Sequence, residues 1–383
     1  MGPTHSGVPR HNESSAAISL YSELRIRFVP PFRDVPASCK KITHEKDEMT
    51  EAVLEGVGLT MVAGLMSGNC MLPSKFARKW KWENLWFVFS VVSLVILPWM
   101  LALLLVDHLF AAYRALAAVT YVTPLAFGAG WGIAQVLFGI SVRRLGLGIA
   151  YAIIVGLGAV LGTLIPLFFG PPVNITHPTL IKILAGVIVM VAGIALTAIG
   201  GKKQEAGKRD ATGDERGYVI SILLAILCGV MAPMLNFAFA FGQQLAQQAV
   251  LVGNTPIRAA YAVWPIALLG GFVPNVTYSV FLLWRGKSWH IFQQDRVEVI
   301  WPSLMAVLWM GAFALYGMSA VFLGALGVSV GWGLFQSFMI ITATVSGILT
   351  AEWKDAPRSA RILLTLGLMC LLLATLLLLI AGR

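Results

Sequence analysis

The chain has 383 residues, of which 58% are hydrophobic and 12% charged. A water-soluble domain carries about twice that charged fraction, so the composition excludes a soluble enzyme, a disordered chain and a secreted disulfide scaffold. The net charge of +10 sits in short clusters between long apolar runs, which is the pattern of a membrane protein rather than of a nucleic-acid binder.

Residues 1–50 contain no run of the about 20 apolar residues that a helix needs to cross a bilayer. They hold seven basic residues before Met49, among them Arg10, Lys40 and Lys46, and the pair Pro30-Pro31. Translocating such a tail without a signal peptide conflicts with the positive-inside tendency. Two readings follow for residues 1–48: a genuine disordered extension, or a stretch wrongly assigned to the gene, with translation starting at Met49. Both expect no packed structure before about residue 50.

Ten candidate spans follow, at 53–73, 84–106, 120–142, 146–169, 180–200, 218–241, 259–284, 300–323, 329–350 and 362–382. Pro98, Pro166, Pro233 and Pro274 fall inside spans and predict kinks. Gly128, Gly130 and Gly132 predict close helix packing. Cys70, Cys228 and Cys370 lie in apolar runs without ligand spacing, so no metal site and no disulfide framework is expected. No cofactor motif occurs.

The connections after odd-numbered spans hold seventeen Lys and Arg, including Lys75, Arg78, Lys79, Lys81, Lys202 and Lys203. Those after spans 2, 4, 6 and 8 hold only Arg114 and Arg258. The odd loops are therefore expected in the cytoplasm, with both ends of the helical core outside. Five spans per half is an odd number, so similar halves must be inverted. Leu145–Tyr151 and Leu326–Trp332 form matching Gly-containing corners, and Gly64-Leu-Met-Ser67 matches Gly229-Val-Met-Ala232. The expected fold is all-α and integral to the membrane: ten transmembrane helices in two inverted five-helix repeats. The repeats are 51–200 and 218–383, joined by a cytoplasmic linker at 201–217.

No Asp, Glu, Lys or Arg lies near the middle of a span, which argues against a cation pump and a phosphate carrier. No span holds the residues of an intramembrane protease. A neutral path remains, marked by Asn69, Gln135, Asn236, Asn275, Tyr278, Tyr316 and Gln336. Trp131 precedes Gln135 by one helical turn, and Trp332 precedes Gln336 likewise. A ring face covers sugar C–H surface while an amide takes hydroxyls. Trp131, Gln135, Trp332 and Gln336, with Asn69, Asn236 and Tyr316, are therefore the candidate substrate-binding set. The competing reading is that such amides bridge helices. Glu55 is a weak candidate for carrying a coupled proton, against the simpler reading of a first-turn Glu favouring the helix dipole. Trp80, Trp82, Trp86, Trp284, Trp289 and Trp301 read as interface anchors. These residues describe a secondary transporter of a neutral hydroxylated solute. The rivals are an exporter of another neutral metabolite and a non-transporting membrane receptor or sensor.

Pro73-Ser-Lys75, Trp82-Glu-Asn-Leu-Trp86 and Leu97-Pro-Trp99 resemble the first hairpin of the bacterial L-rhamnose–proton symporter family. So do Phe127-Gly-Ala-Gly-Trp-Gly132 with Gly139, Arg143 and Leu145-Gly146, and Glu352-Trp353 with Arg358. The resemblance runs from about Met49 to the C-terminus and places the chain in the drug/metabolite transporter superfamily. It implies proton-coupled uptake of L-rhamnose or a related monosaccharide across the bacterial inner membrane. The expected partners are then a small-molecule sugar, a proton, the lipid bilayer and a second copy in a homodimer, with no nucleic acid.

Overall fold

The computed structural model describes residues 42–145, 147–170, 175–205, 215–351 and 353–382. The unit Thr43–Arg383 carries every span. Of residues 1–48, on which the expectation of an extension falls, 1–41 lie outside the described residues and 42–48 are helical. Residues 206–214 of the expected linker also lie outside the described residues.

Among the described residues, ten helices are long and apolar enough to cross a membrane: α1 Glu51–Phe76, α2 Trp82–Leu105, α3 Val119–Leu145, α4 Ile149–Phe169, α5 His177–Gln204, α6 Tyr218–Leu251, α7 Pro256–Arg285, α8 Arg296–Phe322, α9 Gly324–Leu349 and α10 Arg358–Ala381. No strand occurs among the described residues. Helices satisfy every backbone group internally, which is what a hydrocarbon environment demands. The helix that carries α1 begins at Ile42, ahead of the apolar run.

The prolines act locally. Pro98 has no N–H for the usual helical bond, and the turn before it widens to a π segment at Val92–Ile96. The Leu97 N–H reaches back to the Val92 carbonyl. In α6 the helix stops at Met231 and restarts at Met234, with Pro233 between. Pro124, Pro166 and Pro274 lie inside continuous helices.

Glycines set the closest crossings. A Cβ on Gly128 of α3 would lie 1.8 Å from the Ala267 carbonyl oxygen of α7, and one on Gly132 would lie 2.6 Å from that of Gly271. No side chain fits there, so α3 and α7 meet backbone to backbone. Helices α5 and α10 do the same: Gly193 and Gly367 each present a position 2.9 Å from the other's carbonyl oxygen. Gly64 of α1 seats on Phe338 of α9, and Gly229 of α6 seats on Leu157 of α4. Two methionines also lodge against glycines, Met234 of α6 against Gly130 and Met66 of α1 against Gly311 of α8.

On each face of the bundle the connections between helices and the adjoining helix ends hold one another. Where the basic odd loops emerge, hereafter the basic face, Asn84 Nδ2 donates to the Ser288 carbonyl at 3.0 Å and Lys79 Nζ meets Asp295 at 2.9 Å. That bond raises the Lys79 pKa and lowers that of Asp295 from their ordinary values. On the opposite face the Asp107 N–H donates to Asn254 Oδ1 at 2.7 Å, Asn254 Nδ2 returns a bond to the Asp107 carbonyl at 2.8 Å, and Arg258 pairs with Asp107 at 3.1 Å.

Candidate functional site

The interior is built of rings. Trp131 stacks on Trp309 with centroids 5.3 Å apart, and Trp309 meets Phe313 at 4.5 Å. Phe313 contacts Phe335 at 5.4 Å, and Phe335 contacts Trp332 at 5.8 Å. Helices α3, α8 and α9 thus share one aromatic core, which Trp264 of α7 and Phe239 of α6 extend at 4.8 Å from each other. The core links Trp131 with Trp332, two residues the sequence separates by two hundred positions.

Both indoles are engaged by the protein. Trp131 lies over Gly271, and a Cβ there would come within 2.8 Å of the ring. Trp332 Nε1 donates to the Gly158 carbonyl of α4 at 3.1 Å. Gly271 opens the notch that accepts the Trp131 ring, and Gly162 of α4 opens the one that accepts the Trp332 ring.

Asn236 and Tyr316 are spent on each other. The Tyr316 hydroxyl donates to Asn236 Oδ1 at 2.6 Å, and Asn236 Nδ2 donates to the carbonyls of Gly162 at 2.9 Å and Val328 at 3.2 Å. Four helices, α4, α6, α8 and α9, are tied at this point. Asn69 Nδ2 donates to the Leu65 carbonyl of its own helix at 2.8 Å, and Glu55 is exposed. Asn275 accepts from Trp86 Nε1 at 3.1 Å, and Tyr278 accepts from Arg143 at 2.8 Å.

The two glutamines differ from all of these. Gln336 follows Phe335 on α9 and is 7% exposed, yet its amide makes no hydrogen bond among the described residues. Its amide nitrogen and oxygen are not fully sealed from solvent. Gln135 on α3 is half-buried and likewise makes no such bond. A near-buried primary amide without a protein partner costs free energy unless water or a ligand takes its donors and acceptor.

Sequence reasoning missed Trp309 and Trp264, although both lie well inside apolar spans, which was the available signal. Trp86 turns inward to Asn275, and Trp80 is buried against Phe292 at 5.1 Å. Trp284 and Trp289 stay exposed beside Arg285, Lys287 and His290, as interface anchors do. Among the described residues, no three His, Cys, Asp or Glu are grouped to hold a metal ion.

Ten apolar spans that enclose an aromatic core define a multi-pass membrane protein. The chain belongs to the family described as L-rhamnose-proton symport protein, which it matches over residues 49–381. It is similar to the L-rhamnose-proton symporter of Cronobacter sakazakii, 29% identical over 338 residues, covering 85% of this chain and 97% of that protein. The L-rhamnose-proton symporter of Klebsiella pneumoniae is 27% identical over 335 residues, with the same two shares covered. That of Escherichia coli O1:K1 is 26% identical over 339 residues, again with those shares.

Proposed function

We propose that this chain takes up a neutral sugar, L-rhamnose or a related monosaccharide, in symport with a proton across a bacterial inner membrane. The observation that carries the reading is Gln336. Its unbonded amide beside the aromatic core offers two donors and an acceptor to vicinal hydroxyls, while rings cover the sugar's C–H faces. Gln135 serves as the second amide. Trp131 and Trp332 wall the site from their glycine notches, and Asn236 with Tyr316 holds its helices in register. The family membership and the names of the relatives supply the proton and the sugar class.

The helices form two inverted five-helix repeats, 51–200 and 218–383, that rock around this site. Three pairings support this. Gly64 of α1 seats on α9 as Gly229 of α6 seats on α4. Met66 meets Gly311 of α8 as Met234 meets Gly130 of α3. The loop after α1 holds the loop after α7 through Lys79 and Asp295 on one face, as the loop after α6 holds the loop after α2 on the other. The basic face is cytoplasmic, by the excess of Lys and Arg in its loops.

The test is uptake of labelled L-rhamnose into membrane vesicles with and without an imposed proton gradient. Accumulation that requires the gradient and is competed by related sugars supports the reading. Gradient-independent exit, or no sugar flux at all, refutes it.

A further inference from the structure

The basic face is held by one group unlike any other among the described residues. Glu298 stands at the start of α8 and is 7% exposed. Its Oε1 accepts from the backbone N–H groups of Arg78 and Lys79, both at 2.8 Å. Its Oε2 accepts from those of Lys79 at 3.0 Å and Trp80 at 2.6 Å. Three consecutive amides thus converge on one carboxylate from the loop between α1 and α2, forming a small anion-binding nest. Bonds to a charged acceptor are about twice as strong as neutral ones. The nest is backed by apolar packing, since Trp80, Leu85 and Ile291 form their own buried cluster. Phe76 also stacks on Trp301 at 5.2 Å.

On the basic face the α1–α2 hairpin meets the α7–α8 hairpin. Those are the two elements that Glu298 joins. Lys79–Asp295 spans the same seam, but both of its side chains are substantially exposed to solvent, and such a pair holds little. The opposite face is fastened by the neutral amide of Asn254 on the Asp107 backbone. Both faces are fastened at once, so alternating access would release one fastening in each half of the cycle.

We propose that Glu298 is a positioning residue of the transport cycle, the latch whose hold on the 78–80 backbone keeps the basic face shut. It acts through the loop it captures and does not touch the solute. The proposal rests on the transporter reading above. It adds the element whose release lets the basic face open.

Cys70 supplies the reporter. It lies in α1 where the α-helical turns give way to the 3-10 turn Leu72–Phe76 that leads to the captured loop, and it is 6% exposed. Cys228 is 1% exposed and donates to the Ala134 carbonyl at 3.1 Å, between α6 and α3. The full chain is prepared with Cys70 as its sole cysteine, and separately with Cys228 alone. Labelling by a membrane-impermeant maleimide is followed in sealed right-side-out and inside-out vesicles, without added sugar. In Glu298→Ala, Cys70 should label about tenfold faster from the cytoplasmic side, as loss of charge-assisted bonds shifts the closed–open balance. Cys228 should keep its parental rate. Glu298→Asp, which retains the charge on a shorter stem, should fall between parent and Ala. Asn254→Ala should not speed Cys70 labelling from that side.

An unchanged Cys70 rate in both Glu298 variants overturns the latch. So does a joint rise of Cys70 and Cys228, because that reports a loosened bundle. A rise from the extracellular side alone upholds the latch and overturns the assigned orientation. None of these readings needs transport, so a failed uptake assay and a failed latch are told apart.

Discussion

Substituting Gln336 and Asn236 separately sets two amides of similar burial against each other. Gln336→Ala removes no hydrogen bond to the described protein, and its site is 7% exposed. Folding stability should therefore change little, while any hydroxyl it held loses its partner. That loss costs about 1–3 kcal/mol, or roughly 5- to 140-fold in affinity. Asn236→Ala removes the acceptor of the Tyr316 hydroxyl and the donor to two carbonyls. Buried polar groups on three other helices then lose a partner, and stability should fall by about 1–3 kcal/mol or more. The assay pairs labelled-sugar uptake, fitted for KM and maximal rate, with thermal unfolding of the purified protein in detergent. Gln336→Ala should raise KM with an unchanged melting temperature, and Asn236→Ala should lower the melting temperature. Unaltered uptake kinetics in Gln336→Ala, or a larger melting shift there than in Asn236→Ala, refutes the assignment.

Further outcomes follow from the packing and the loops. Gly128→Leu should abolish recovery of folded protein on size exclusion, because a Cβ there lies 1.8 Å from a carbonyl oxygen, whereas Gly139→Ala should be neutral, with nothing within 4 Å. In a cysteine-less background, Thr255→Cys should label with an impermeant thiol reagent in intact cells and Lys203→Cys should not; reversed labelling would invert the assigned orientation. Asp295 is held below its ordinary pKa by Lys79, so this bond stabilises above the unfolded value and its contribution vanishes as pH falls through the lower, folded value. Lys79 is raised, so its share is complete below its unfolded value and is lost only as pH rises through the higher, folded one. Melting of Asp295→Asn should accordingly converge on that of the parent in acid, and at high salt near neutrality.

The spans were legible because their length is imposed by the bilayer and written as uninterrupted apolar runs. Gly128 and Gly132 were legible as contact points for a similar reason, since only a missing side chain permits that approach. The site was legible as residue types but not as partners. A spacing of four fixes which face of α3 carries Trp131 and Gln135, yet it is silent on the Gly271 notch that receives the ring. Asn236 and Gln336 look alike in sequence. They differ only because Tyr316 stands opposite the first and no described group opposite the second. Trp86 sits near a span end, where anchors are common, and only the fold shows Asn275 across from it. Glu298 gave a weak signal, an acid beside an apolar run. Its partners are backbone amides, which no side-chain pattern announces.

The union of α5 with α10 has a consequence for biosynthesis. The glycine face of α5 at Gly193 has its mate at Gly367, and a ribosome adding about 5–20 residues per second takes roughly 10–35 s to cover that interval. Through that time α5 waits in the bilayer with its small-residue face against lipid, offering a groove to any neighbouring helix. The final span is then the element that completes the fold. Pulse-chase of a chain ended after α9 should show rapid degradation, with rescue when α10 is supplied as a separate peptide.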